Sequence, residues 1–140
     1  MRAFLPVTGK KELIHLLERE IVAAIKAYLA SLGRDVFFWK EHGGPYGTSG
    51  VPDIIICYKG RFIGMECKLP DGHLTELQKR ALRKINDAGG YAYRVESVED
   101  AREIIEMIDE EINSNHGKPT YNITPDYRPR KKESHGKEIV

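Results

Sequence analysis

Cysteine is scarce in this chain of 140 residues. The only two cysteines, Cys57 and Cys67, both lie in short apolar segments. Neither the cysteines nor the five histidines have the spacing of a zinc site. A disulfide framework is therefore not expected, and reduced thiols in a cytoplasmic protein are the natural interpretation.

Long hydrophobic runs are also missing. No apolar run approaches the ~18 residues that a membrane-spanning helix needs. Residues 1–10 lack the apolar segment and the small-residue cleavage site of a signal peptide. The sequence thus predicts a cytoplasmic protein with no membrane partner.

An excess of charge of either sign is absent as well. Lys and Arg number 22 against 21 Asp and Glu, which gives a net charge of +1. This balance excludes the bulk basicity of a histone-like binder, so any nucleic acid would have to meet local positive charge. With 41% hydrophobic and 31% charged residues, the chain has the composition of one globular domain with a single core.

The residue pattern predicts the element order helix, strand, hairpin, helix, strand, helix. Apolar residues at helical spacing indicate a first helix over residues 11–32, which Gly33 ends. The other predicted elements are strands at 36–39, 53–58, 61–68 and 91–95, and helices at 75–88 and 97–112.

This order predicts an α/β domain over residues 1–112, with a mixed central β-sheet flanked by helices. Residues 113–140 have no periodicity and are rich in Asn, Pro, Gly and charges. They are predicted to form an extended, partly basic C-terminal tail, with an ordered arm as the alternative.

Charged residues converge in the predicted hairpin at 53–68, whose turn has two residues, 59–60. If the residues that flank this turn pair with each other, Asp53 lies opposite Glu66 and Lys68 shares their face. Opposed like charges destabilise a sheet, and a divalent cation between the carboxylates would remove the conflict. The alternative is an exposed, salt-bridged strand edge, which is the commoner origin of alternating charges.

A longer motif surrounds these residues. It comprises Gly50-Val51-Pro52-Asp53, then after twelve residues Glu66-Cys67-Lys68, and then Leu74-Thr75-Glu76-Leu77-Gln78. In this order the three segments resemble the VRR-NUC (virus-type replication-repair nuclease) branch of the PD-(D/E)XK superfamily. The resemblance covers most of the chain outside the tail. It implies a restriction-endonuclease-like core and a metal-dependent endodeoxyribonuclease.

The resemblance also implies roles for individual residues. Asp53 and Glu66 would bind Mg²⁺ or Mn²⁺, and Cys67 would contribute its backbone carbonyl to the metal. Lys68 would assist the attacking water or the charged transition state. Gln78 would act in the same site, although it also fits as the partner of the preceding helix N-cap residue.

Family members carry a further acid on the first helix, and two residues could supply it here. A helical wheel places Glu18 with Ile21 and Ile25, on the face expected to meet the sheet. Glu20 points outward and is the reserve candidate. We therefore expect Glu18 to bind the metal or its water, with a solvated helix edge as the alternative.

Short, free-standing members of this family are implied to be encoded by phages or prophages and to act in the cytoplasm of a bacterial or phage-infected cell. They are further implied to be homodimers that cut branched DNA, such as four-way (Holliday) junctions. No small-molecule cofactor is expected. Apolar residues on the last helix, and tyrosines in the tail, could serve self-association, or the helix could simply cover the domain's own sheet. The residues concerned are Ile104, Ile105, Ile108, Ile112, Tyr121 and Tyr127.

Two other functions remain open at this point. A restriction-type endonuclease would read a short duplex sequence, but the chain has no obvious recognition domain. A catalytically silent DNA-binding module on the same fold is disfavoured by the complete set of Asp53, Glu66 and Lys68.

Overall fold

The computed structural model describes residues 9–42 and 50–114. Its elements are α1 (Lys10–Ser31), β1 (Val36–Lys40), β2 (Ile54–Tyr58), β3 (Arg61–Cys67), α2 (Glu76–Asp87), β4 (Tyr91–Val95) and α3 (Val98–Asn113). This is the predicted order, with a short 3₁₀ turn over Gly33–Asp35 in addition. The predicted tail, including Tyr121 and Tyr127, lies outside the described residues from position 115 onward.

The four strands form one mixed sheet in the order β1-β2-β3-β4. The β1–β2 and β2–β3 pairs are antiparallel, and β3 and β4 are parallel. The predicted mixed α/β architecture is thus confirmed. β2 is an interior strand, as its run of apolar residues indicated.

The register of the β2–β3 hairpin follows from its two-residue turn. Lys59 and Gly60 both have positive φ, 47° and 81°, as the tightest hairpin turns require. Tyr58 therefore pairs with Arg61, and the ladder continues in step to Ile54 opposite Met65. Beyond this last pair, the next residues along the chain are Asp53 and Glu66, so both lie at the end of the hairpin opposite the turn.

Helices α1 and α3 cover one face of the sheet and enclose the main core. From α1 this core receives Val22, Ile25 and Leu29, which recur at helical spacing. The isoleucines of α3 also point into it, with Ile104 and Ile108 at 0% and Ile105 at 2% exposure.

These isoleucines are not available for self-association. Ile104, Ile105 and Ile108 cover the domain's own sheet, and Ile112 packs partly buried against the same core. The alternative in which this stripe provides a dimer contact is therefore wrong. The reason is that a three-layer domain has to bury the apolar stripe of each flanking helix against its sheet.

Helix α2 covers only part of the opposite face. It packs through Leu82 and Ile85 against Ala92 of β4, together with Leu74 of the preceding loop. The part of this face that β1, β2 and the start of β3 present stays open among the described residues. We call this surface the open face; its solvent-accessible residues are Phe37, Trp39, Cys57 and Phe62, and Ile55 between them is buried.

None of the helices within 9–42 and 50–114 combines the length and the apolar character that a membrane span needs.

Candidate active site

Asp53 lies at the open end of the hairpin, where β2 begins. Its carboxylate oxygen Oδ2 accepts a hydrogen bond of 2.8 Å from the backbone N–H of Cys67 on β3. Its own carbonyl accepts one of 2.8 Å from the N–H of Glu41, just beyond β1. Bonds to both neighbouring strands therefore fix Asp53 in the middle of the sheet.

Glu66 is the most unusual carboxylate of the described residues, because it is only 3% exposed. Its Oε1 accepts a hydrogen bond of 2.7 Å from the side-chain amide of Gln78. Its Oε2 is buried without a hydrogen-bond partner among the described residues. Burial, reinforced by the nearby Asp53 carboxylate, raises the pKa of Glu66 to about 9, against the opposing effect of Lys68. This oxygen requires a proton or a cation.

Gln78 connects the start of α2 to Glu66. Thr75 is the N-cap of α2; its hydroxyl accepts from the Gln78 N–H at 3.1 Å, and Gln78 Oε1 accepts from the Thr75 N–H at 2.8 Å. This is a capping box. Because the box uses Oε1, the amide nitrogen of Gln78 remains to donate to Glu66. The two interpretations of Gln78 are therefore compatible in one conformation.

Lys68 and Glu18 lie close to this pair of carboxylates. Lys68 directly follows β3, and its N–H donates to the carbonyl of Val95, which extends the β3–β4 ladder by one residue. Glu18 is half-buried on α1. Burial raises the pKa of Glu18, the charge of Lys68 opposes this, and the Asp53 carboxylate adds to it. Helix α1 therefore brings Glu18 to the cluster, whereas Glu20 is exposed.

The side chain of Cys67 points away from this cluster. Its thiol is 1% exposed and lies in the main core, where burial raises its pKa well above the usual range. A buried thiol of this kind is inert. Only the backbone of Cys67 faces the cluster, through its bond to Asp53, so metal binding by its carbonyl stays a prediction.

The donor set fits a divalent cation of the Mg²⁺ or Mn²⁺ type. Asp53 and Glu66 offer carboxylate oxygens, which such ions prefer, and one oxygen of Glu66 is buried without a hydrogen-bond partner. In residues 9–42 and 50–114, no group of three or more His, Cys, Asp or Glu side chains is arranged as a full ligand set. Mg²⁺ commonly takes one or two carboxylates and fills its other positions with water and substrate phosphate. The side chains present therefore suffice.

Arg94, which was not among the predicted site residues, supports this cluster from the neighbouring strand β4. Arg94 is 3% exposed and pairs in register with Glu66 on the parallel neighbour strand. Its guanidinium donates to the carbonyls of Gly72, Leu69 and Pro70 at 2.6, 3.0 and 3.3 Å. It thereby holds the loop that joins Lys68 to α2. The sequence feature that could have indicated Arg94 is an arginine inside an otherwise apolar strand, because a buried cation needs hydrogen-bond or ion-pair partners.

Replacing Arg94 by Met should destabilise the fold by about 3 kcal/mol, since three partly buried carbonyls lose a charged donor. Arg94→Lys should recover only part of this, because an ammonium lacks the planar, forked set of donors of a guanidinium. Arg83→Met, on the exposed side of α2, is the matched control and should stay within about 0.5 kcal/mol. Urea unfolding followed by circular dichroism measures all three. Equal stability of Arg94→Met and Arg83→Met would remove Arg94 from this role.

The raised pKa of Glu66 predicts how the stability of the metal-free protein depends on pH. The folded pKa near 9 lies above the ordinary value of 4.5, so between these values the folded state keeps a proton that the unfolded state releases. The free energy of unfolding contributed by Glu66 is therefore full below the lower value and falls as pH rises through this window. Glu66→Gln cannot ionise and should not show this loss.

Unfolding measured with a chelator present, at about pH 5 and about pH 8, tests this. The variant should gain stability relative to the original protein as pH rises. Parallel pH profiles would show that Glu66 is ionised in the metal-free fold.

Comparisons with known proteins agree on the fold. The mixed four-stranded sheet with flanking helices is shared with two solved structures. One solved structure described as "VRR_NUC domain" superposes with a TM-score of 0.50 and 20% identity, over 69% of this chain and 95% of that chain. A second, a "VRR_NUC domain protein", gives 0.50 and 18%, over 69% and 88%. The chain therefore has the fold of the VRR_NUC domain, in agreement with the resemblance seen in its sequence.

Sequence comparison adds nothing to this. No protein-family model matches the chain. No curated protein matches it either.

Proposed function

We propose that this protein is a divalent-metal-dependent DNA nuclease that hydrolyses phosphodiester bonds at the Asp53–Glu66–Lys68 cluster. One observation carries the proposal: the buried carboxylate of Glu66, with one oxygen unsatisfied, beside Asp53 and near a lysine. A purely structural carboxylate in such a place would be expected to have all its hydrogen bonds. The VRR_NUC fold supports the same function.

Each residue has a distinct task in this proposal. Asp53 and Glu66 would hold Mg²⁺ or Mn²⁺, and Glu18 would bind the metal or its water from α1. A cation bound there acidifies water and neutralises negative charge on the phosphate. Lys68 would place its ammonium where charge develops on the phosphate oxygens. Gln78 would orient the Glu66 carboxylate through its hydrogen bond of 2.7 Å.

Branched DNA is the proposed substrate, and a homodimer is the proposed active form. Resolving a four-way junction needs two cuts related by approximate two-fold symmetry, and a two-fold dimer has two sites in that relation. The isoleucines of α3 do not supply the contact, because they are buried within the domain. A dimer would have to use other surfaces.

Cleavage of a four-way junction, a flap and a continuous linear duplex, measured in parallel, tests the function. We expect cleavage with Mg²⁺ or Mn²⁺, none with a chelator, and the highest rate on the junction. Light scattering on the same full-length samples should give twice the chain mass. Binding of DNA without cleavage under any metal would instead favour a catalytically silent module. Preferred cutting of linear duplex at one sequence would favour a restriction-type enzyme.

A further inference from the structure

The open face presents aromatic side chains to solvent. Phe37 is 69% exposed, Trp39 44% and Phe62 47%. Aromatic rings dominate the energetics of cores and interfaces. Neighbouring exposed rings therefore indicate a binding surface, whereas single exposed hydrophobic residues are common on any protein. Phe37 and Phe62 both pair in register with Cys57 on the strand between them, so the rings form a row across three strands.

This surface adjoins the proposed active site across the buried Ile55. Trp39 pairs with Ile55, and Asp53 lies two residues before Ile55, on the same face of the sheet. Glu41, just beyond the end of β1, donates its backbone N–H to the carbonyl of Asp53 at 2.8 Å. With ~3.3 Å per residue and ~4.8 Å between strands, the Cα atoms of Trp39 and Asp53 are about 8 Å apart. A stacked DNA strand advances about 3.4 Å per nucleotide, so this spans two or three nucleotides.

The Trp39 ring is held in place before any ligand arrives. Its indole N–H donates to Oε2 of Glu41 at 3.0 Å. The Phe37 ring lies 6.0 Å away, centre to centre, tilted by 55°. Because the indole N–H already donates to Glu41, a ligand would contact Trp39 through the face of its ring. A fixed ring loses little conformational entropy on binding.

Positive charge borders the same surface. Lys84 of α2 lines a shallow apolar pocket together with Phe62. This places an exposed lysine of α2 next to Phe62, at the turn end of the open face. A flat aromatic floor with a cationic border is the arrangement by which proteins bind single-stranded nucleic acid, with bases stacked on rings and phosphates near cations.

We propose that the open face binds unpaired DNA bases next to the site of cleavage, with Trp39 as the principal stacking ring. This proposal rests on the proposed nuclease function, because it names the part of the substrate that this site selects. A second copy of the chain docked on the open face would cover the surface next to Asp53. It would therefore obstruct binding of the substrate to the catalytic cluster. An unpaired strand would instead extend from the catalytic cluster along the sheet. Recognition of unpaired bases would give the enzyme a preference for branched DNA with an unpaired strand, such as a flap, over continuous duplex.

Stacking on a ring can be separated from general apolar contact by two substitutions at one position. Trp39→Phe keeps an aromatic ring, whereas Trp39→Leu keeps apolar bulk without one. The probe is a single-stranded oligonucleotide of roughly eight nucleotides that contains 2-aminopurine, a base whose fluorescence falls on stacking. A continuous duplex of equal length is the comparison, and Ca²⁺ replaces Mg²⁺ so that binding is measured alone.

Trp39→Leu should weaken binding of the single strand by roughly 5- to 150-fold, the loss that removal of one stacked base contact causes. Trp39→Phe should retain most of the affinity and of the fluorescence quenching. The ratio of single-strand to duplex affinity should fall in Trp39→Leu, and in the same direction by less in Phe37→Leu. Circular dichroism spectra confirm that each variant is folded.

Three results would overturn this inference. The first is unchanged single-strand affinity in Trp39→Leu, and the second is an equal loss for single strand and duplex. The third is conversion of a dimer to a monomer by Trp39→Leu with loss of all binding, which would make the open face an interface between copies. Asp53→Asn separates this proposal from the nuclease proposal. It should stop cleavage yet keep the quenching, and a protein that quenches through Trp39 but never cleaves would refute only the nuclease.

Discussion

Lys68→Ala is expected to lower the rate of DNA cleavage by on the order of a hundredfold or more, the usual cost of one lost transition-state donor. DNA affinity should change little, because one phosphate contact among several alters the salt dependence of binding by only about one unit of slope. The physical reason is the position of Lys68. Its charge acts on both Glu66 and Glu18, so it lies near the carboxylates that would hold the metal in the proposed function.

Single-turnover cleavage and salt-dependent binding, measured on the same junction, separate the two effects. Lys26→Ala is the matched control, since Lys26 is an exposed lysine of α1. It should leave both quantities unchanged. Normal turnover in Lys68→Ala would exclude Lys68 from catalysis, and an equal loss of affinity and rate would make it a binding residue only.

Asp53→Asn should abolish the stabilisation of the protein by Mg²⁺ or Mn²⁺. A ligand at a hundred times its dissociation constant stabilises a fold by about 2.7 kcal/mol. For a domain of this size, that raises the melting temperature by roughly 10 °C. Asn keeps an oxygen that can accept from the Cys67 N–H, as Asp53 does at 2.8 Å, so the fold should persist. It removes the negative charge that a cation needs.

The metal-free variant provides an internal check. Asp53 raises the pKa of Glu66, since two carboxylates lie close together without a cation. Removing one charge should therefore leave the melting temperature without metal equal to that of the original protein, or higher. Glu20→Gln, on the exposed side of α1, should retain the full metal response. A rise with metal in Asp53→Asn equal to that of the original protein would show that Asp53 is not a ligand.

The element order and the hairpin register were predictable because local rules govern them. A two-residue turn at Lys59-Gly60 leaves one pairing of its flanking residues, and alternation along each strand then determines which side chains share a face. The two predicted strands of the hairpin were each one residue too long at the end opposite the turn, because Asp53 and Lys68 lie just outside β2 and β3. Both still bond to neighbouring strands, so their positions in the cluster were predictable even though the strand limits were not.

The environment of these residues was not predictable in the same way. That Glu66 is buried, and that one of its oxygens lacks a hydrogen-bond partner, depends on α2 and β4 packing around it. By contrast, the helical wheel already favoured Glu18 over Glu20, and the structure has Glu18 half-buried and Glu20 exposed. Two residues apart on a helix, these acids differ by about half a turn, so only one of them can face the sheet.

The sequence by itself determined the class of the fold, the hairpin with its pairing, and the candidate residues Asp53, Glu66, Lys68 and Gln78. These follow from the short-range rules of turns, helix caps and periodicity, and from a sequence motif. Only the tertiary structure decided that Arg94 fastens the loop after Lys68, that the α3 isoleucines are core, and that the open face carries exposed rings. Each of these depends on contacts between segments distant in sequence, because burial is a property of the assembled layers and not of any one segment.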